Sequence, residues 1–140
     1  MASPQPRPKT VVEVLIKALE IFGPNGENWN NTGLHVRKGG RDTYCSLGAI
    51  GKAYSGSADS GFREGLGTEA TELLATCIPE SYQQGYRADW DISDWNDQRP
   101  VGKRGFRSIK AVFCKAINKA IDQEGGAKPS KRKASVRKRA

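Results

Sequence analysis

Val12, Leu15, Ile16, Leu19 and Phe22 recur at intervals of three and four, a spacing that lays one apolar stripe along a helix. Thr10 and Glu13 precede them at capping-box spacing, and Gly23-Pro24 follows in the order that ends helices, so the pattern predicts a helix over 10–22. Helical spacing returns three times. Leu47, Ile50 and Tyr54 give a second helix over 45–54. Ala70, Leu73, Leu74 and Cys77 give a third over 68–78, stopped by Pro79. Ile109, Phe113, Ala116, Ile117 and Ala120 give a last helix over 106–122. Between the first two, Gly39-Gly40 is a hairpin signal joining short strands at 34–36 and 42–44, with Trp29 packing the ribbon down. Ile92 and Trp95 predict only a short docked turn in the polar stretch after Pro79. The expectation is a mainly α single domain, a bundle of about four helices with a short β-hairpin.

Composition narrows this picture. A chain of 140 residues, 36% hydrophobic and 27% charged, has room for one ordinary core. No apolar run approaches the roughly 20 residues that span a bilayer, and "MASPQPRPKT" has no apolar signal-peptide region, so no membrane partner is expected. Three widely separated cysteines without a CxxC pair suggest reduced thiols in a cytoplasm, with no metal and no cofactor.

The net charge of +8 is unevenly placed. Residues 125–140 hold seven Lys and Arg and no acid, which leaves residues 1–124 nearly neutral. Three segments follow: a disordered Pro-rich lead-in over 1–9, a globular domain over 10–124 and a disordered basic tail over 125–140. Lys128, Lys131, Arg132, Lys133, Arg137, Lys138 and Arg139 sit among small residues that cannot build a core. Such a polycation binds phosphate backbones by counterion release, with little sequence preference. A second basic cluster, Lys103, Arg104, Arg107 and Lys110, enters the last helix, where positive charge at an N-terminus favours an anionic ligand. A solvated helix face accounts for the same cluster.

Other residue groups invite chemical readings. Cys45 begins a helix, a place that can lower a thiol's pKa, and His35 is the chain's one histidine and the one candidate imidazole base. An enzyme would use Cys45 as nucleophile, His35 as base and Asn96 or Asp97 as the orienting group. The plainer reading makes Cys45 a small buried residue where two helices approach. Asp89, Asp91 and Ser93 match the first ligand positions of an EF-hand loop, but Asp94 and Pro100 stand where that loop needs Gly and Glu. Ser93 or Asp94 then serves as a turn or helix cap, with Trp90 and Trp95 as anchors.

The order of Trp29, "CSLGA" at 45–49, "ISDWND" at 92–97 and a final amphipathic helix resembles a family of small bacterial and bacteriophage proteins of unknown function. The likeness spans about residues 10–122. It implies a fold and a set of positions to test, Trp29, Cys45, Gly48, Trp95, Asn96 and Asp97, but no active site. The sequence therefore points to a non-catalytic cytoplasmic accessory protein whose basic tail binds nucleic acid. A protein–protein effector acting through the globular domain is the alternative.

Overall fold

A computed structural model describes residues 7–126. The tail cations Lys128 to Arg139 lie outside the described residues, as does most of the Pro-rich lead-in. Five helices and one hairpin follow in order: α1 (Val11–Phe22), β1 (Val36–Lys38), β2 (Arg41–Thr43), α2 (Ser46–Ser55), α3 (Gly65–Ala75), α4 (Ala88–Asp97) and α5 (Lys103–Gly126). Single 3-10 turns at Gly61–Arg63 and Glu80–Tyr82 link the middle helices. The mainly helical class and the small hairpin agree with the sequence, and α4 makes five helices rather than about four.

The capping signals act as expected in α1. Thr10 Oγ1 accepts from Glu13 N at 3.1 Å, and Gly23 leaves the helix at φ 84°. The buried face is rotated from the expected one. Val14 and Ala18 join Leu15 and Phe22 at full burial, whereas Val12 and Leu19 are half-buried and Ile16 is 40% exposed. α5 runs antiparallel to α1. Phe22 meets Phe106 and Phe113 edge-on at one end, with centroids 5.6 and 5.5 Å apart, and Glu124 Oε2 accepts from Val12 N at the other.

The strands lie nearer the hairpin tip than the sequence suggested, by two residues in the first strand and one in the second. Gly39 and Gly40, at φ 59° and 76°, form a two-residue turn of the I′ type, so pairing begins at Lys38 and Arg41 and proceeds to Val36 and Thr43. Trp29 pairs with Tyr44 through an isolated parallel bridge, which ties the loop after α1 to the base of the ribbon. α3 starts three residues early and ends at Ala75. α5 starts at Lys103, directly after Gly102 at φ 92°.

α4 is a full ten-residue helix where a short turn was expected. Arg87, not Ser93 or Asp94, occupies its N-cap position. Trp95 is an anchor at 1% exposure, but Trp90 is 55% exposed and anchors nothing in the core.

Candidate functional site

The Trp-Asn-Asp segment converges on the start of α2 through Asn96, whose side chain is fully buried. Its Oδ1 accepts from Trp29 Nε1 at 2.9 Å, Ser46 N at 3.0 Å and Ser46 Oγ at 2.7 Å. Its Nδ2 donates to the Asn30 carbonyl and to Asp97 Oδ1, both at 3.2 Å. The first N–H groups of a helix have no partner within it. Here α4 supplies one for α2, so a side chain fifty residues away acts as a cap. Asn30 extends the network: its Oδ1 accepts from Thr32 N and Gly33 N at 2.9 Å, and its Nδ2 donates to Thr43 Oγ1 at 2.9 Å. A buried amide with all its partners joins the Trp29 loop, the hairpin, α2 and α4 at one point.

Cys45 is the N-cap of α2, and its Sγ accepts from Gly48 N at 3.5 Å. At 4% exposure the thiol is desolvated, which pushes its pKa up to about 11. The helix amides pull the other way without offsetting burial, and the Asp97 carboxylate adds to the rise. His35 does not serve it. The imidazole Nε2 is 3.0 Å from Asp42 Oδ1 and the ring stacks on Tyr44 with centroids 5.1 Å apart. Partial burial, and Asp94 nearby, hold the Asp97 carboxyl above its ordinary range despite the hydrogen bond from Asn96. A Cβ on Gly48 would run into the Leu34 carbonyl, and Ala49 is fully buried. In Cys-x-x-Gly-Ala, then, Cys45 caps α2, Gly48 lets it lie against the Leu34 backbone and Ala49 fills the core.

Lys103, Arg104, Arg107 and Lys110 are all exposed on the first turns of α5. None of them forms an ion pair among the described residues. Lys103 and Arg41 both lie close enough to Glu27 to act on its carboxyl, which hydrogen bonds from its own amide and that of Asn25 already hold low. Arg41 of the hairpin and Lys103 of α5 thus act on one carboxylate, and Lys115 is a further exposed cation toward the middle of the helix. Sequence reasoning missed both; "RKGGR" and "FCKAI" carry the charge, but only the fold brings Arg41 and Lys103 to the same carboxylate.

A family model covers residues 6–119, most of the chain and every position of this network. The chain belongs to DUF6197, a family of unknown function. Neither curated proteins nor solved structures gave a match. The match agrees with the resemblance to a family of unknown function, and it assigns this DUF6197 member no chemistry.

The acidic stretch of α4 is accounted for inside the fold. Asp91 Oδ2 accepts from Gln84 N at 3.1 Å and so fixes the loop before the helix. Asp89 takes Arg87 Nη2 at 2.8 Å and Arg63 Nη2 at 3.4 Å. Burial raises the Asp89 carboxyl, but these two guanidinium groups outweigh it and hold the pKa below the usual range. No cluster able to hold a metal ion occurs among the described residues. Arg87 also lies 4.7 Å from the ring centre of exposed Trp90, beside Tyr86 at 84% exposure. No helix among the described residues is long and apolar enough to cross a membrane.

Proposed function

We propose that this chain is a non-catalytic, cytoplasmic nucleic-acid-binding accessory protein of a bacterium or bacteriophage, with two basic anchors at opposite ends of α5. The observation that carries the reading is the exposed set Lys103, Arg104, Arg107 and Lys110, unpaired among the described residues, at the N-terminus of the helix whose other end leads into the seven-cation tail. α5 has 24 residues, about 36 Å at the usual rise. That length equals about one turn of duplex DNA. A duplex lying along α5 meets the helix cations and Arg41 at one end and the tail at the other. Contacts of this kind go to phosphates and give affinity without sequence preference.

Fluorescence anisotropy with duplexes of increasing length tests the arrangement. Affinity should climb steeply up to about one helical turn, where both anchors engage, and then level off. Replacing Lys103, Arg104, Arg107 and Lys110 by Gln should remove that length dependence and leave weak binding through the tail. Binding that ignores both duplex length and these four residues overturns the two-anchor reading.

A second reading rests on one observation of its own. Tyr86, Arg87 and Trp90 form an exposed aromatic and arginine cluster, the composition of protein-interface hot spots. A protein effector acting through this face would keep its partner after nuclease treatment and lose it on Trp90→Ala.

A further inference from the structure

The stripe that the sequence marked as core on α1 is only partly used by the fold. Ile16 is 40% exposed, and Leu19 is half-buried. On the antiparallel α5, Ile117 is half-buried and Ile121 is 49% exposed. The two helices leave a groove of about 380 Å³, walled by Ile16, Leu19, Pro24, Phe106 and Ile117. Only Glu20 and Lys110 bring charge to its walls. They form no ion pair with each other among the described residues.

We propose that this groove is the interface at which a second copy of the chain docks to form an isologous dimer. The argument is charge complementarity. In a two-fold arrangement each copy presents the same patch, so a patch that is to bind itself must carry both members of every cross-interface pair. This groove carries one acid and one base on an otherwise apolar wall, so Glu20 of each copy can meet Lys110 of the other while Ile16, and Ile121 one turn beyond the lining residue Ile117, leave water. A wholly basic or wholly acidic rim would repel its own copy. At 100° per residue, Lys110, Ile117 and Ile121 turn toward the groove with Lys103 about 20° from Lys110, while Arg104 and Lys115 point well away from it. A dimer formed here leaves Arg104 and Lys115 of each copy open to solvent and takes Lys110 into the interface, where Glu20 of the other copy competes with a phosphate for it. The inference does not depend on nucleic-acid binding.

Sedimentation velocity of the full chain over a concentration series tests it. The expected species at high concentration has twice the chain mass of 15.3 kDa. Ile16→Glu and Ile121→Glu, both at exposed positions and therefore tolerated by the fold, should each raise the dimer dissociation constant at least about tenfold. Circular dichroism should show their helix content unchanged. Glu20→Lys or Lys110→Glu alone should weaken the dimer, and the two together should restore it to within about threefold of wild type, because each reversal compensates the other across the axis. A wild type that stays monomeric at about 0.5 mM, far above the micromolar range of specific dimers, overturns the proposal. So does a dimer indifferent to Ile16→Glu and Ile121→Glu, or double reversal that weakens it further. A monomer that instead takes up an amphipathic helical peptide in the groove assigns the face to a different partner and also overturns it.

Discussion

Asn96→Ala is the sharpest test of how the fold is held together. The substitution removes the acceptor for Trp29 Nε1, Ser46 N and Ser46 Oγ and the donor to the Asn30 carbonyl. The serine hydroxyl can turn elsewhere. The indole N–H and the Ser46 amide keep no other partner among the described residues, and each buried orphan costs about 1–3 kcal/mol. With the freed Asn30 carbonyl and a small cavity added, a loss of about 4 kcal/mol is expected. A domain of this size is stable by about 5–15 kcal/mol, so the variant folds but sits close to its limit. Urea unfolding followed by tryptophan fluorescence reads the change, since Trp29 and Trp95 are both buried. At a slope of about 2 kcal/mol per molar urea, the midpoint should fall by about 2 M with little change in slope. A double-mutant cycle with Trp29→Phe isolates the indole: part of the Asn96→Ala cost should vanish in that background, leaving a coupling of about 1–2 kcal/mol. A loss below about 1 kcal/mol, or strict additivity with Trp29→Phe, refutes the view that Asn96 is the node of the network.

Gly48→Ala should cost about 2–3 kcal/mol, because the added Cβ meets the Leu34 carbonyl and α2 must move off it; an unchanged urea midpoint refutes the close approach. Iodoacetamide at pH 7, followed by mass spectrometry, should label exposed Cys114 first and Cys45 far more slowly. A thiol of pKa about 11 is ionised to about one part in ten thousand at that pH, and fast Cys45 labelling would revive a nucleophilic role. Asp97→Asn reports on a raised carboxyl. Because the folded pKa lies above the unfolded one, ionised Asp97 costs stability above the folded pKa, and the cost fades as both states become protonated. The variant should therefore be at least as stable as wild type at pH 7, with the difference gone below about pH 3; a deficit that persists in acid contradicts this sign.

Where the sequence was legible, local chemistry decided the structure. α1 begins at its Thr10 cap and ends at Gly23 because both signals act within one turn. Illegible parts were settled by tertiary contacts. α4 shows few apolar positions and buries Asp89, Asp91 and Asn96, so its helical state depends on partners in the Trp29 loop, α2 and the Gln84 loop. The strands sit two residues and one residue nearer the tip than expected because the two glycines close the turn at once. Ile16 fits a core pattern and lies exposed, since α5 covers the neighbouring arc of α1 instead. Of the candidate site, Asn96 bonds Ser46 next to Cys45, Asp97 acts on the Cys45 thiol, and His35 is committed to Asp42. No spacing in the sequence announced that Asn96 would cap α2, because that partnership spans fifty residues.

The salt dependence of duplex binding bears most directly on the proposed function. It would be measured by anisotropy from about 50 to 200 mM salt, for wild type and for the Lys103, Arg104, Arg107 and Lys110 to Gln variant. Each phosphate contact contributes about −0.9 to the log–log slope. If the seven tail cations and the four on α5 all engage, the wild-type slope approaches about −10, and the variant's is shallower by up to about 3.6. A slope near zero, or identical slopes for the two proteins, would contradict the account.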